Sequence, residues 1–151
     1  MDKEFSFRYR RYDSLEELPE QEKMLVGEAR KALRSAYAPY SGFRVGAAAL
    51  LESGRIAYGS NQESEVFPAG ICAERNLLFH HEATAPEDRI LAMAIASEPG
   101  ERECYPCGIC RQVLADVRKR QGSPIKLIMV SDTSATEVSD VTAMLPFQFE
   151  L

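Results

Sequence analysis

Three of the four cysteines, Cys104, Cys107 and Cys110, fall within seven residues, and the remaining one, Cys72, stands 35 positions before Cys107. A close pair with two intervening residues plus a distant cysteine is a ligand spacing for a soft metal ion and not the framework of a disulfide-stapled domain. Cys72-Ala73-Glu74 and Pro106-Cys107-Gly108-Ile109-Cys110 together supply three thiolates and a carboxylate two residues beyond the first. Three protein ligands leave zinc a fourth tetrahedral position for water. Zinc brings that water's pKa toward neutrality, and a glutamate that is not a ligand can carry the released proton to a leaving group. That combination is hydrolytic chemistry. Cys104 offers a different arrangement, a closed four-thiolate site that would make the protein an interaction module. Tyr105, however, precedes Pro106 and is therefore driven to an extended conformation, which carries Cys104 away from the pair. Cys104 is then expected as a small buried hydrophobe.

The elements that must position these residues can be read from periodicity. Phe5 to Arg10 alternates aromatic with polar side chains, which predicts a short N-terminal strand, extending over about 4–12 at most. From Pro19 onward, Met24, Leu25, Ala29, Ala32, Leu33 and Ala36 recur at helical spacing until Pro39. Phe43–Leu51 reads as a buried strand, and Ser53-Gly54 turns the chain into an antiparallel partner over Arg55–Ser60. Cys72–His81 is helical in composition, Ile90–Ser97 an apolar strand, Cys107–Arg120 a helix and Ile125–Val130 another apolar strand. Asp140 is placed to cap a short helix over Val141–Leu145. Strands alternating with helices imply a layered α/β domain with right-handed crossovers. Both cysteine-bearing helices start just after a strand, so their N-termini belong at one carboxyl edge of the sheet, where open α/β sheets bind ligands. Phe43, Asn61 and Glu63 face the same edge.

Composition narrows the class of partner. The chain has 151 residues, 18 basic and 23 acidic side chains, and a net charge of −5. A chain of this mass buries roughly 69% of its unfolded surface, enough for a core without staples. The acidic balance argues against a polynucleotide partner, since such binding draws its affinity from clustered Lys and Arg. No apolar run is long enough to span a bilayer, and Met1 to Phe5 lacks the basic-then-apolar order of a signal peptide, so no membrane partner and a cytoplasmic location are expected.

The two cysteine motifs resemble those of the zinc-dependent cytidine deaminases, in particular the small homotetrameric type acting on free nucleosides, in which all three ligands are cysteines. The resemblance runs from Ala38-Pro39-Tyr40-Ser41-Gly42-Phe43-Arg44-Val45-Gly46-Ala47-Ala48 through Asn61-Gln62-Glu63, Cys72-Ala73-Glu74-Arg75 and Pro106-Cys107-Gly108-Ile109-Cys110-Arg111-Gln112 to Leu145-Pro146-Phe147-Gln148-Phe149. It implies one deaminase-like domain over 1–151, a three-layer α/β/α sandwich around a mixed five-stranded sheet, with the N-terminal strand an addition. It also implies one zinc ion per chain on Cys72, Cys107 and Cys110, and Glu74 as the proton shuttle between water, ring N3 and departing ammonia. Asn61 and Glu63 would bond the ribose hydroxyls, Phe43 would touch the pyrimidine and the Ala73 backbone would meet the base carbonyl. Arg75 resembles the arginine that bonds the thiolates and offsets their excess negative charge. Phe149 would stack on the base in a neighbouring subunit of a homotetramer. The implied reaction is the hydrolytic deamination of cytidine and deoxycytidine to uridine and deoxyuridine with release of ammonia, a step of pyrimidine salvage. A different aminopyrimidine nucleoside, such as a nucleoside antibiotic, is the alternative substrate. Two departures stand out: Ser64 where the family commonly has asparagine, and a chain that stops two residues after Phe149.

Each residue also has a plainer reading. Glu74 could be a first-turn carboxylate favoured by the helix dipole, Arg75 a surface arginine, Asn61 and Glu63 turn residues, and Phe43 core. Phe147 and Phe149 could simply close the core. His80 and His81 are adjacent on a helix, point in different directions and are not expected to share an ion. Arg8, Arg10 and Arg11 read as a solvated strand face.

Overall fold

The computed structural model describes residues 1–151. In chain order the elements are β1 (Arg10–Tyr12), α1 (Glu20–Ala32), β2 (Arg44–Leu51), β3 (Ile56–Ser60), α2 (Ala73–Thr84), β4 (Ile90–Glu98), α3 (Gly108–Gln121), β5 (Lys126–Val130) and β6 (Ala135–Val138), with short 3-10 turns between them. The strands form one mixed sheet in the order β1-β6-β5-β4-β2-β3. Only β4 and β5 pair parallel; β2 runs antiparallel to both its neighbours. Therefore β3 and β4 point the same way, α2 crosses between them over β2, and α3 crosses from β4 to β5.

Strand alternation sorts the apolar side chains into two layers. Val45, Ala47, Ala49, Met93, Ile95, Leu127 and Met129 point to the face covered by α2 and α3. Ala48, Leu50, Ala94, Ala96, Ile128 and Val130 point to the other face, covered by Leu25, Val26 and Ala29 of α1. This is the expected three-layer α/β/α sandwich. The small residues of β2 let the helices come close to the sheet. A Cβ on Gly46 would lie 2.8 Å from Leu33 N at the end of α1, and one on Gly59 would lie 2.7 Å from Leu77 N in α2. Glycine at 59 thus lets the first two turns of α2 lie directly on β3, which sets the height of Cys72 above the sheet edge.

The structure departs from the sequence expectations in three places. The five-stranded mixed sheet with an added N-terminal strand is what the resemblance implies, but its fifth strand, β6 (Ala135–Val138) between β5 and β1, is not among the strands read from periodicity. Its four residues, with only Ala135 and Val138 buried, carry too short a pattern to be recognised alone. The N-terminal strand is confined to Arg10–Tyr12, each pairing with β6; residues 5–8 lie beyond the reach of that short partner, and residues 5–9 form no ladder. On α1, Val26 takes the inward position, while Met24 is left exposed. Asp140 does cap the turn Val141–Met144, its side chain accepting from Thr142 N.

Candidate functional site

The start of β2 and the ends of β3 and β4 meet at one edge: Arg44 lies opposite Glu98, and Gly46 opposite Ser60. Both cysteine-bearing helices begin above this edge, and their N-cap residues are Cys72 and Cys107 themselves. Neither cap side chain accepts from a backbone N–H of its helix, so neither sulfur is committed to capping. Cys110 follows within the first turn of α3. The sulfurs of Cys72, Cys107 and Cys110 all lie within 4.8 Å of one another, and those of Cys72 and Cys107 are 3.9 Å apart. Ligands about 2.3 Å from a tetrahedral zinc ion stand about 3.8 Å from each other, so this spacing fits the ion. Cys110 is buried, Cys72 half-buried and Cys107 exposed, which leaves one side of the triangle open. Cys104 is packed in the core with Leu114 and Met129 and is not part of the cluster. Burial pushes its thiol up to about 12. The four-thiolate arrangement is therefore not the one the fold builds.

Two helix N-termini aimed at one point favour negative charge there. Arg75 adds a full positive charge, its Nη2 donating to Cys72 Sγ at 3.5 Å. The Cys110 S–H and the Arg75 guanidinium together hold the Cys72 thiol down at about 5, whereas Cys110, buried beside that thiolate, keeps its proton to higher pH. A bound divalent cation removes the remaining thiol protons. Glu74 is 3% exposed, and burial raises its carboxyl to about 7, with the Cys72 charge adding to the effect. A carboxyl group so placed can accept and release a proton near neutral pH.

Beside the thiolates opens a cleft of about 510 Å³ whose wall includes Cys72, Arg75, Asn61, Glu63 and Ser64. Glu63 Oε1 accepts from the backbone N–H groups of Tyr40 and Ser41 at 2.9 and 3.1 Å, and the Ser41 contacts hold its carboxyl below the usual range. Its second oxygen remains available to a ligand hydroxyl. Asn61 is partly committed to β2: Oδ1 accepts from Val45 N at 2.7 Å and Nδ2 donates to the Phe43 carbonyl at 2.8 Å. One amide hydrogen is left over. Phe43 is 42% exposed, so it is not a core residue, and it does not line the cleft.

Residues 19–122 match the family described as the cytidine and deoxycytidylate deaminase zinc-binding region. The chain belongs to the cytidine and deoxycytidylate deaminase family. A cytidine deaminase of Halalkalibacterium halodurans is 40% identical over 94 residues, covering 62% of this chain and 70% of the relative. One from Mycobacterium tuberculosis is 42% identical over 93 residues, covering 62% and 68%. The crystal structure of cytidine deaminase from Burkholderia pseudomallei superposes with a TM-score of 0.74 at 29% identity, over 87% of this chain and all of that one. The M. tuberculosis crystal structure gives 0.66 at 33% identity, over 85% and 96%.

Within this deaminase framework several residues that the sequence reading passed over support the cleft. Gln62 bridges to Tyr37 on one side and Ile71 on the other, and its side chain donates to the Ser35 carbonyl at 2.9 Å. Tyr40 and Phe67 meet edge-to-face with ring centroids 5.4 Å apart across the mouth. Asn76 Nδ2 donates to the Ser60 carbonyl at 2.8 Å, fastening α2 to the end of β3. Arg111 Nε donates to the Pro106 carbonyl at 2.9 Å, immediately before Cys107. Tyr40, Gln62 and Arg111 stand inside the segments that carry the resemblance, although no role attaches to them there, whereas Tyr37, Phe67 and Asn76 have no sequence signal. Phe149 does not line the cleft of its own chain. It is 68% exposed on α3, where Gln112 Nε2 donates to its carbonyl at 3.1 Å, and Phe147 is 99% exposed. The tail therefore does not close the core. His81 is buried, with Nε2 2.8 Å from the Asp88 carbonyl, and neither it nor His80 belongs to the metal cluster.

Proposed function

We propose that the protein is a zinc-dependent cytidine deaminase, hydrolysing cytidine and deoxycytidine to uridine and deoxyuridine with release of ammonia. The observation that carries this reading is a cluster of three thiolates, one of which, Cys72, lines a nucleoside-sized cleft, with a buried, near-neutral carboxyl group two residues beyond it. Zinc, when bound, supplies Lewis acidity that makes a water molecule acidic enough to attack the ring near neutral pH. Cys72, Cys107 and Cys110 hold one ion per chain, and Arg75 balances part of their charge through Cys72 Sγ.

Glu74 takes one proton from the attacking water and delivers it to ring N3, then takes the second from the hydroxyl now on C4 and passes it to the amine, so that the C4 carbonyl forms as the C4–N4 bond breaks and ammonia leaves. Its burial keeps competing water off the carboxyl. The Ala73 N–H, at the start of α2, has no intrahelical acceptor and donates to the base carbonyl. The free oxygen of Glu63 accepts from a ribose hydroxyl, the spare Asn61 N–H donates to the sugar, and Phe43 borders the ring. Ser64 Oγ accepts from Val66 N and keeps its own O–H on the cleft wall.

The domain spans 1–151 and assembles as a homotetramer in which Phe149 of one subunit stacks in the site of another, a reading supported by its exposure away from its own cleft. The partner is a small nucleoside, not a polynucleotide, and no helix is long and apolar enough to cross a membrane. The thiolate centre suits a reducing cytoplasm. Ultraviolet monitoring of the zinc-loaded protein with cytidine, deoxycytidine and cytosine tests the reading. Both nucleosides are expected to turn over and the free base to fail; turnover of cytosine alone, or of none of the three, would overturn it.

A further inference from the structure

The loop between β4 and α3 delivers two of the three thiolates, and it is held from outside the site. Four residues before Cys107 lies Glu103, whose side chain is only 5% exposed. Three donors from three separate segments converge on its carboxylate. Tyr105 OH, from the loop itself, donates to Oε2 at 2.9 Å. Ser134 Oγ, from the β5–β6 turn, donates to Oε1 at 2.8 Å, and Arg11 Nη1, from β1, donates to Oε1 at 3.3 Å. Between this hub and Cys107 the loop backbone is pinned twice more, with Cys104 N donating to the Val130 carbonyl at 3.2 Å and Arg111 Nε to the Pro106 carbonyl at 2.9 Å.

We propose that Glu103 is a positioning residue for the thiolate centre, joining the N-terminal strand and the β5–β6 turn to the loop that presents Cys107 and Cys110. The N-terminal strand, which lies at the far edge of the sheet from β3 and contributes nothing to the cleft, thereby acquires a role in metal retention. A buried carboxylate with three donors is a rigid junction, because moving the loop would strand at least one of them without a partner. Cys107 is itself exposed, so little packing of its own holds it in place. The proposal rests on the reading of the three thiolates as a zinc site and is independent of which substrate is deaminated.

The test measures zinc transfer from the loaded full-length protein to a chromophoric chelator, alongside thermal melting. Residues that hydrogen-bond a metal ligand directly commonly cost about 10-fold or more in affinity when replaced. Glu103 acts through the loop and touches no ligand, so Glu103→Gln is expected to raise the zinc Kd by up to about 10-fold. Tyr105→Phe and Arg11→Gln, which alter exposed donors and keep the fold, are expected to raise it by smaller factors. Glu101→Gln, at an exposed carboxylate of the same loop, is expected to leave it unchanged. Because Arg11 acts through Glu103, the double variant Arg11→Gln/Glu103→Gln should lose no more than Glu103→Gln alone. Excess zinc should restore kcat in Glu103→Gln with KM unaltered, a rescue that general unfolding would not permit. Wild-type zinc retention in Tyr105→Phe and Arg11→Gln, or a lowered melting temperature in Glu103→Gln with zinc held as tightly as before, would overturn the proposal. So would additive losses in the double variant. Since the chelator assay uses no nucleoside, absence of deaminase activity would bear on the substrate reading and not on this one.

Discussion

Cys104 and Cys107 are three residues apart, yet the fold sends one into the core and the other to an exposed helix cap. The difference is local: Pro106 keeps Tyr105 extended, so the chain enters α3 only after the direction of its side chains has changed. Cys104→Ala is accordingly expected to retain one zinc per chain and nearly full activity, whereas Cys107→Ala loses the metal. Metal content by atomic emission and initial rates decide the matter, and loss of zinc from the Cys104 variant would show that the ligand set is wrong. Glu74 and Cys72 are two residues apart and divide the labour in the same way, one sulfur at the cap and one carboxyl buried behind it. Glu74→Gln preserves shape but holds no exchangeable proton, so kcat should fall by about 10²-fold to 10⁴-fold with zinc still bound. Near-wild-type turnover would remove Glu74 from the proton path. The motif made these residues legible because its chemistry is nearly contiguous in the chain. The contacts of Gln62, Tyr40 and Glu103 were not legible, since each is made with partners distant in sequence.

At the scale of elements, β6 is the least conspicuous strand and joins the deaminase sheet to the N-terminal strand. Its Glu137 faces a crowded group: Tyr12 OH donates to Oε2 at 3.3 Å from β1, Lys126 of β5 stands 3.8 Å away, and the buried Glu22 of α1 pairs with that lysine at 2.6 Å. Arg10 of β1 is the remaining charge in the group. Burial, and then the neighbouring Glu22, raise the Glu137 pKa above its ordinary value. A raised carboxyl means that the folded state holds more protons than the unfolded state between the ordinary and the raised pKa. Stability is therefore greatest below that window and falls as pH rises through it. Glu137→Gln does not titrate, so its melting temperature should gain on the wild type as pH increases from the acid side to neutrality. A difference that stays constant, or shrinks, would show that Glu137 ionises without penalty. Glu22 Oε2, buried with no hydrogen-bond partner, is the local cost of this arrangement. The alternation of Phe5 to Arg10 predicted a longer strand than exists, because alternation reports the chain's own pattern and not the length of the strand that must receive it.

For the whole molecule, the open question that experiment can answer is whether the site is complete within one chain. Phe149 lies on α3, outside its own cleft, and Tyr40, Phe67 and Phe147 also present exposed rings. If Phe149 serves a neighbour, Glu74→Gln chains and Phe149→Ala chains, each impaired alone, should recover part of the activity when mixed and allowed to exchange subunits. Exchange demonstrated by mass spectrometry with no recovery, or full activity in a stable monomer, would confine the site to a single chain. The amino-acid sequence by itself determined the metal-binding chemistry, the alternating α/β order and the edge at which the site lies. Those follow from residue type, short spacing and the hydrophobic period, all of which act over a few positions of the chain. Only the tertiary structure decided that Ala135–Val138 pairs between β5 and β1, that the N-terminal strand is held to three residues, and that Glu103 collects Arg11, Tyr105 and Ser134. Each of these depends on which distant backbone or side chain arrives opposite, and that is set by packing two apolar layers onto one sheet.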